Sequence, residues 1–144
     1  MFERIVVGTD GSQTATTALR AAAKLAGQSS AELHIVSGYQ PKSGLKVTGA
    51  GSNVETWTVS STDAVDGILR DAHDLVRAEK IAVTTHHEEG DPAKALITIA
   101  TQVGADLIVV GNRGMKGVKR LVLGSVPNDV AHNAPCAVLI LKTT

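Results

Sequence analysis

Residues 3–27, ERIVVGTDGSQTATTALRAAAKLAG, change their apolar period once, and that change decides the fold. Residues 3–9 are rich in β-branched side chains and run into Asp10-Gly11-Ser12, a turn signal, so a first strand is expected there. Ser12 can cap a helix, and Ala15, Ala18, Leu19, Ala22, Leu25 and Ala26 then recur at helical spacing. Gly27 is the expected stop.

The same alternation continues along the chain. Strands are expected over residues 32–38, 81–87, 105–110 and 136–141, four short runs that are largely apolar. Between them, Thr62 or Asp63 opens a second helix with the stripe Val65, Ile68, Leu69, Ala72, Leu75 and Val76. Asp91-Pro92 supplies a cap followed by proline at the first helical position, with Leu96, Ile97, Ala100 and Val103 inward and Gly104 as the stop. A short helix should begin near Ser125, because Pro127 is tolerated only in a first turn, and Asn133-Ala134-Pro135 should end it. Residues 39–61 are rich in Gly, Ser, Thr and Asn without a period and read as a long loop, a feature that in compact domains is usually functional or mobile. Strands alternating with helices, and running as nearly continuous apolar stretches, call for a parallel sheet covered on both faces. The expectation is an α/β fold, an open five-stranded sheet with helices on both sides, as a single domain over residues 1–144.

Composition narrows the function. The chain balances 14 Lys+Arg against 14 Asp+Glu, which argues against a general nucleic-acid binder. Phe2, Tyr39 and Trp57 are its only aromatics, too few for a base-stacking platform. One cysteine fits a reducing compartment, and no apolar run approaches the length of a membrane span. A cytoplasmic protein without membrane or nucleic-acid partners is expected.

Against that neutral background, residues 111–125, GNRGMKGVKRLVLGS, gather Arg113, Lys116, Lys119 and Arg120 with no acid. Glycine turns bind phosphate when successive N–H groups converge without a side chain in the way, and a helix beginning just afterwards adds its own N–H groups and dipole. Gly111-x-x-Gly114 leaves the fourth strand, and Gly124-Ser125 precedes the short helix. The segment is either an anion cradle or a solvated excursion. Neither the P-loop pattern nor the dinucleotide fingerprint is present. In open α/β sheets ligands bind beyond the carboxyl ends of the strands where the winding reverses, so the first and fourth strands would have to be neighbours for their two glycine turns to share a crevice.

Three stretches carry a resemblance to the universal stress protein family: Val7-Gly8-Thr9-Asp10-Gly11-Ser12, Gly111-x-x-Gly114-x9-Gly124-Ser125, and Asn133-Ala134-Pro135-Cys136-Ala137-Val138-Leu139. The resemblance implies a doubly wound sheet in order 3-2-1-4-5, with strands one and four adjacent. It also implies the branch of the family that binds adenine nucleotide, usually ATP, with Mg²⁺ as a companion ion and ADP or AMP as related ligands. Actinobacterial members with a similar Gly-Ser-Val-Pro segment are associated with cyclic AMP. Carried over by position, Gly8, Thr9 and Asp10 would lie near the adenosine, and Val110 would border the base. Gly111, Arg113 and Gly114 would wrap ribose and phosphates, while Gly124, Ser125 and Val126 would supply amides and a hydroxyl to the phosphates. Gly38 departs from the Val usual there and would widen the base pocket. The family further implies a homodimer through residues 137–141 and a non-catalytic sensor or regulator of the stress response, acting on an unidentified protein partner. A slow ATP hydrolase or phosphotransferase is the competing reading.

Other residues allow plainer readings. Asp10 could accept a phosphoryl group or simply cap a turn, and no second aspartate follows two residues later. His86 and His87 sit next to each other on a strand, so they should point to opposite faces and not share an ion. Cys136 reads as a buried small hydrophobe, and His34, His73 and His132 as isolated surface residues. Trp57 is either a lid or partner contact or part of a minor cluster.

Overall fold

The computed structural model describes residues 1–39, 62–112 and 123–143. Trp57, Arg113, Gly114, Lys116, Lys119, Arg120 and nearly all of the 39–61 stretch lie outside the described residues. Tyr39 itself belongs to a strand rather than to a loop.

The chain alternates as expected: β1 (Arg4–Gly8), α1 (Gln13–Ser29), β2 (Glu32–Tyr39), α2 (Thr62–Leu75), β3 (Val83–Glu89), α3 (Pro92–Val103), β4 (Leu107–Gly111), α4 (Ser125–Asn133) and β5 (Ala137–Leu141). One 3-10 turn, Arg77–Glu79, follows α2. All strand pairings are parallel, in the order β3-β2-β1-β4-β5. The winding therefore reverses between β1 and β4, which are direct neighbours.

Alternate side chains of the sheet build two cores. Ile5, Val7, Leu33, Ile35, Leu107 and Val109 meet Leu19, Ala22, Ala23 and Ala26 of α1 and Val65, Leu69 and Ala72 of α2. On the other face, Val6, Val36, Ile108 and Val110 meet Ala93, Leu96, Ile99 and Ala100 of α3 and Val130 of α4. This double burial explains why the central strands read as unbroken apolar runs, each Val or Ile contributing about 1.5–3 kcal/mol when fully buried. Among the described residues, no helix is long and apolar enough to cross a membrane.

Several element limits shift by one or two residues, β4 starting at Leu107 rather than 105 among them, and α1 and β3 differ for identifiable reasons. α1 does not stop at Gly27; it runs to Ser29, and Ser30 adopts the left-handed conformation at φ 56° and closes the helix with its N–H on the Ala26 carbonyl. Gly27 lies inside the helix beside Glu79 of the 3-10 turn, and a glycine within a helix costs only about 1 kcal/mol relative to alanine. β3 begins and ends two residues later than the apolar pattern suggests, because it pairs along β2 as far as Glu89 opposite Tyr39. As an edge strand it is free to carry the polar run Thr84 to Glu89, whose last two residues lie beyond the expected strand.

Candidate functional site

The first turn is built by its own polar side chains. After Gly8 ends β1, the Thr9 N–H donates to the Val36 carbonyl at 2.9 Å and ties the turn to β2. The Gly11 N–H donates to Thr9 Oγ1 at 3.1 Å, and the Ser12 N–H donates to Asp10 Oδ1 at 2.8 Å. Gly11 takes φ +85°, a conformation that disfavours any side chain, and Ser12 Oγ then caps α1 by accepting from the Ala15 N–H at 3.2 Å. Asp10 therefore acts as a turn-former through one oxygen, while its side chain stays exposed.

The second turn is held by Asn112, a residue that the motif reading passed over. Its N–H donates to the Leu141 carbonyl at 2.8 Å, and its own carbonyl accepts from the Gly124 N–H at 3.0 Å. Its side-chain Oδ1 accepts from the Thr143 N–H at 2.8 Å and from Thr143 Oγ1 at 3.2 Å. The only signal for it in the sequence is an Asn directly after a strand-ending glycine, a weak one.

α4 starts differently from its neighbours. Ser12 caps α1 and Asp91 Oδ1 caps α3 through the Lys94 N–H at 2.9 Å, but Gly124 offers α4 no side-chain cap. Pro127 lacks an N–H, and the Asn128 N–H already donates to the Gly124 carbonyl at 3.1 Å. Among the described residues, the first-turn donors outside the helical ladder are thus the N–H groups of Ser125 and Val126, at the positive end of the helix dipole.

The register brings these pieces together. Val7 pairs with Val109, so Gly8–Thr9 and Val110–Gly111 leave the sheet side by side. Gly8 pairs with Val36, which sets Gly38 just beyond, on the next strand. Of the site residues expected from sequence, Gly8, Thr9, Asp10, Gly38, Val110 and Gly111 sit at the carboxyl ends of β1, β2 and β4, and Gly124, Ser125 and Val126 enter through the Asn112 bond. Gly38 needs correction: a Cβ there would lie 3.0 Å from the Gly90 carbonyl oxygen and 3.2 Å from Ala95 Cβ. Its missing side chain admits the start of α3 and does not widen a pocket.

One histidine also needs correction. His34 is 7% exposed, not a surface residue, and its Nδ1 lies 2.9 Å from His86 Nε2. His86 and His87 do face opposite ways, His87 Nδ1 lying 3.2 Å from Asp66 Oδ1 on the α2 side. Burial lowers the His86 pKa, the neighbouring His34 lowers it further, and Glu88 partly opposes both. Cys136 is half-buried against the α3–α4 core, and burial, with the Asp106 carboxylate, raises its thiol pKa. An open depression of about 330 Å³ between α2 and β3, near Asp66 and His87, lies apart from the β1–β4 crevice.

Comparison with known proteins agrees with this architecture. The universal stress protein family model matches residues 1–142. The chain is 36% identical over 146 residues to universal stress protein Rv1636 of Mycobacterium tuberculosis strain H37Rv, spanning 99% of this chain and 98% of that one. It is 30% identical over 150 residues to universal stress protein YxiE of Bacillus subtilis strain 168, spanning 99% and 100% respectively. Among solved structures, a universal stress protein in complex with cAMP has a TM-score of 0.77 at 33% identity, over 99% of this chain and 98% of that one. The MJ0577 protein, at 19% identity and a TM-score of 0.77 over 100% and 98%, shares the fold. A match running almost end to end, on a sheet wound 3-2-1-4-5, makes this chain a member of the universal stress protein family.

Proposed function

We propose that the β1–β4 crevice binds an adenine nucleotide and that the chain works as a non-catalytic sensor or regulator in the stress response, as one nucleotide-binding domain over residues 1–144. The observation that carries this reading is the uncapped start of α4, where the Ser125 and Val126 N–H groups open beside two glycine turns at the winding reversal. Gly8, Thr9, Asp10 and Val110 would take the base and ribose. Gly111, Arg113 and Gly114 would wrap ribose and phosphates, and Gly124, Ser125 and Val126 would hold the phosphates.

ATP is the leading ligand, because a triphosphate makes fullest use of two glycine turns and the cations between them. Cyclic AMP is the second reading, favoured by the likeness to a universal stress protein in complex with cAMP. For Mg²⁺ arriving with ATP, the described crevice offers the Ser125 hydroxyl and the Asp10 carboxylate, so phosphate oxygens and water would make up most of its shell. Asp10 is also the one carboxylate among the described residues at the ends of β1 and β4, and one of its oxygens is held by the Ser12 N–H. Phosphoryl transfer needs positioned metal ligands and a group to orient the nucleophile, which supports a regulator over a hydrolase.

Isothermal titration with ATP, ADP and cAMP tests the proposal. Saturable heat with at least one of them is expected, and heats equal to buffer for all three would overturn it. A steady-state assay with Mg²⁺ that showed turnover above about 1 s⁻¹ would move the chain to the enzymes.

A further inference from the structure

His34 and His86 form a pair that the nucleotide site does not use. His34 lies on β2 with 7% of its surface exposed, and His86 lies on β3, half-buried, with ring centroids 5.2 Å apart. Two nitrogens 2.9 Å apart hold one proton between them, so one must be an acceptor. Glu32 decides which. Its Oε1 lies 3.3 Å from His34 Nε2, so that nitrogen carries the proton, His34 Nδ1 accepts, and His86 Nε2–H donates.

Beyond its backbone ladder to β2 and the His87–Asp66 contact, the strand held by this bond buries no side chain fully. β3 is an edge strand, paired only with β2, and its side chains from Val83 to Glu89 are exposed or half-buried. We propose that Glu32, His34 and His86 form an acid-sensitive latch that clips edge strand β3 to the sheet and releases it when both imidazoles are protonated.

The sign follows from proton counting. A latched pair takes up one proton at most, whereas an opened strand leaves the His86 imidazole in water, where histidine titrates near about 6.5. Opening therefore takes up protons below that pH, and the latch weakens as pH falls. The lowered pKa of His86 acts in the same direction: its stabilising contribution is present above about 6.5 and is lost as pH falls through the folded value.

Among the described residues, the surrounding charges are few. Arg4 of β1 reaches Glu32 with Nε 3.6 Å from Oε1, and Glu88 lies two residues along β3. α3, which covers this face, carries Lys94 as its one charged residue, and that side chain is exposed. On the opposite face, protonating His87 beside Asp66 pulls β3 toward α2, against the latch, but both groups are about half exposed and solvent weakens the pair.

Hydrogen exchange of the intact protein at pH 7.5, 6.0 and 5.0 tests the latch, read as protection factors for Thr85 to Glu89 against those of β1. For the wild type, the Thr85 to Glu89 factors should fall at least about tenfold more than those of β1 between pH 7.5 and 5.0. His86→Gln keeps a donor opposite His34 Nδ1 and can flip its amide to accept, so its β3 protection should stay level. His87→Gln should keep the wild-type fall. A wild type without the fall, or a His86→Gln variant that retains it, would overturn the latch. Should His86→Gln not fold, nitrogen NMR of the wild-type imidazoles at pH 7.5 decides: an unprotonated His34 Nδ1 supports the latch, and a protonated one overturns it.

Discussion

The Gly124 N–H donates to the Asn112 carbonyl at 3.0 Å and joins the end of β4 to the start of α4 across residues 113–123. Because Asn112 also bonds Leu141 and Thr143, strand end, C-terminal tail and helix start form one hydrogen-bonded knot. Holding Gly124 in place fixes the direction of the Ser125 and Val126 N–H groups before a ligand arrives, which would lower the entropic cost of binding.

Gly124→Val should separate binding from folding. Gly124 sits at φ −65° and ψ 167°, an extended backbone that valine adopts freely, and it contributes no side-chain cap to lose. The melting temperature should stay within about 3 °C of wild type, since a change below about 1 kcal/mol moves it little in a chain of this size. Nucleotide affinity should fall at least about tenfold, because the branched side chain takes phosphate space. Calorimetric titration beside a thermal melt measures both, and unchanged affinity would place the ligand elsewhere.

Asp10 has two candidate roles that substitutions can split. Asp10→Asn keeps an oxygen for the Ser12 N–H, so stability should be nearly wild type. Asp10→Ala removes that acceptor and should cost about 0.5–1.5 kcal/mol in urea unfolding. If Asp10 also touches the ligand, Asp10→Asn should bind nucleotide several-fold more weakly at unchanged stability. Equal affinity would leave Asp10 as a turn-former alone.

How much of this was legible in sequence depends on whether a feature is local. The caps Ser12 and Asp91-Pro92, the stop at Gly104 and the alternation of elements are local signals, and each appears where expected. Ser30 in the left-handed conformation could not be read, because a serine carries no such preference. The adjacency of β1 and β4 is a property of the whole sheet; it came through family resemblance, not from periodicity. His34 looked isolated because its partner is 52 positions away, on a strand whose register only the pairing with β2 sets. Gly38 was misread for the same reason, since the atoms filling its space belong to Gly90, Pro92 and Ala95.

Gly38→Val therefore tests packing. A Cβ would sit 3.0 Å from a backbone oxygen, which cannot move as a flexible side chain can. Gly90 itself holds φ +128° and donates its N–H to the Tyr39 carbonyl at 2.9 Å, so the segment entering α3 has little freedom to retreat. Overpacking of this kind costs about 1–3 kcal/mol, and urea unfolding should show a loss in that range. A stable variant would mean that α3 can shift away to admit the side chain.

The last prediction concerns β5, the other edge of the sheet. Unlike β3, it presents aliphatic side chains: Leu139 is 37% exposed and Ile140 38%, on opposite faces of one strand. An apolar edge with free N–H and C=O groups is an association surface, which supports the homodimer through residues 137–141. Light scattering coupled to size exclusion should give about twice the 14.9 kDa chain mass for the wild type. Leu139→Lys places a charge on that edge without opening a buried cavity, so its far-ultraviolet dichroism should match wild type while its mass falls to that of one chain. A variant that stays dimeric would move the interface off β5. A wild type that is already monomeric would leave that apolar edge exposed to solvent, and Leu139→Lys should then change solubility and nothing else.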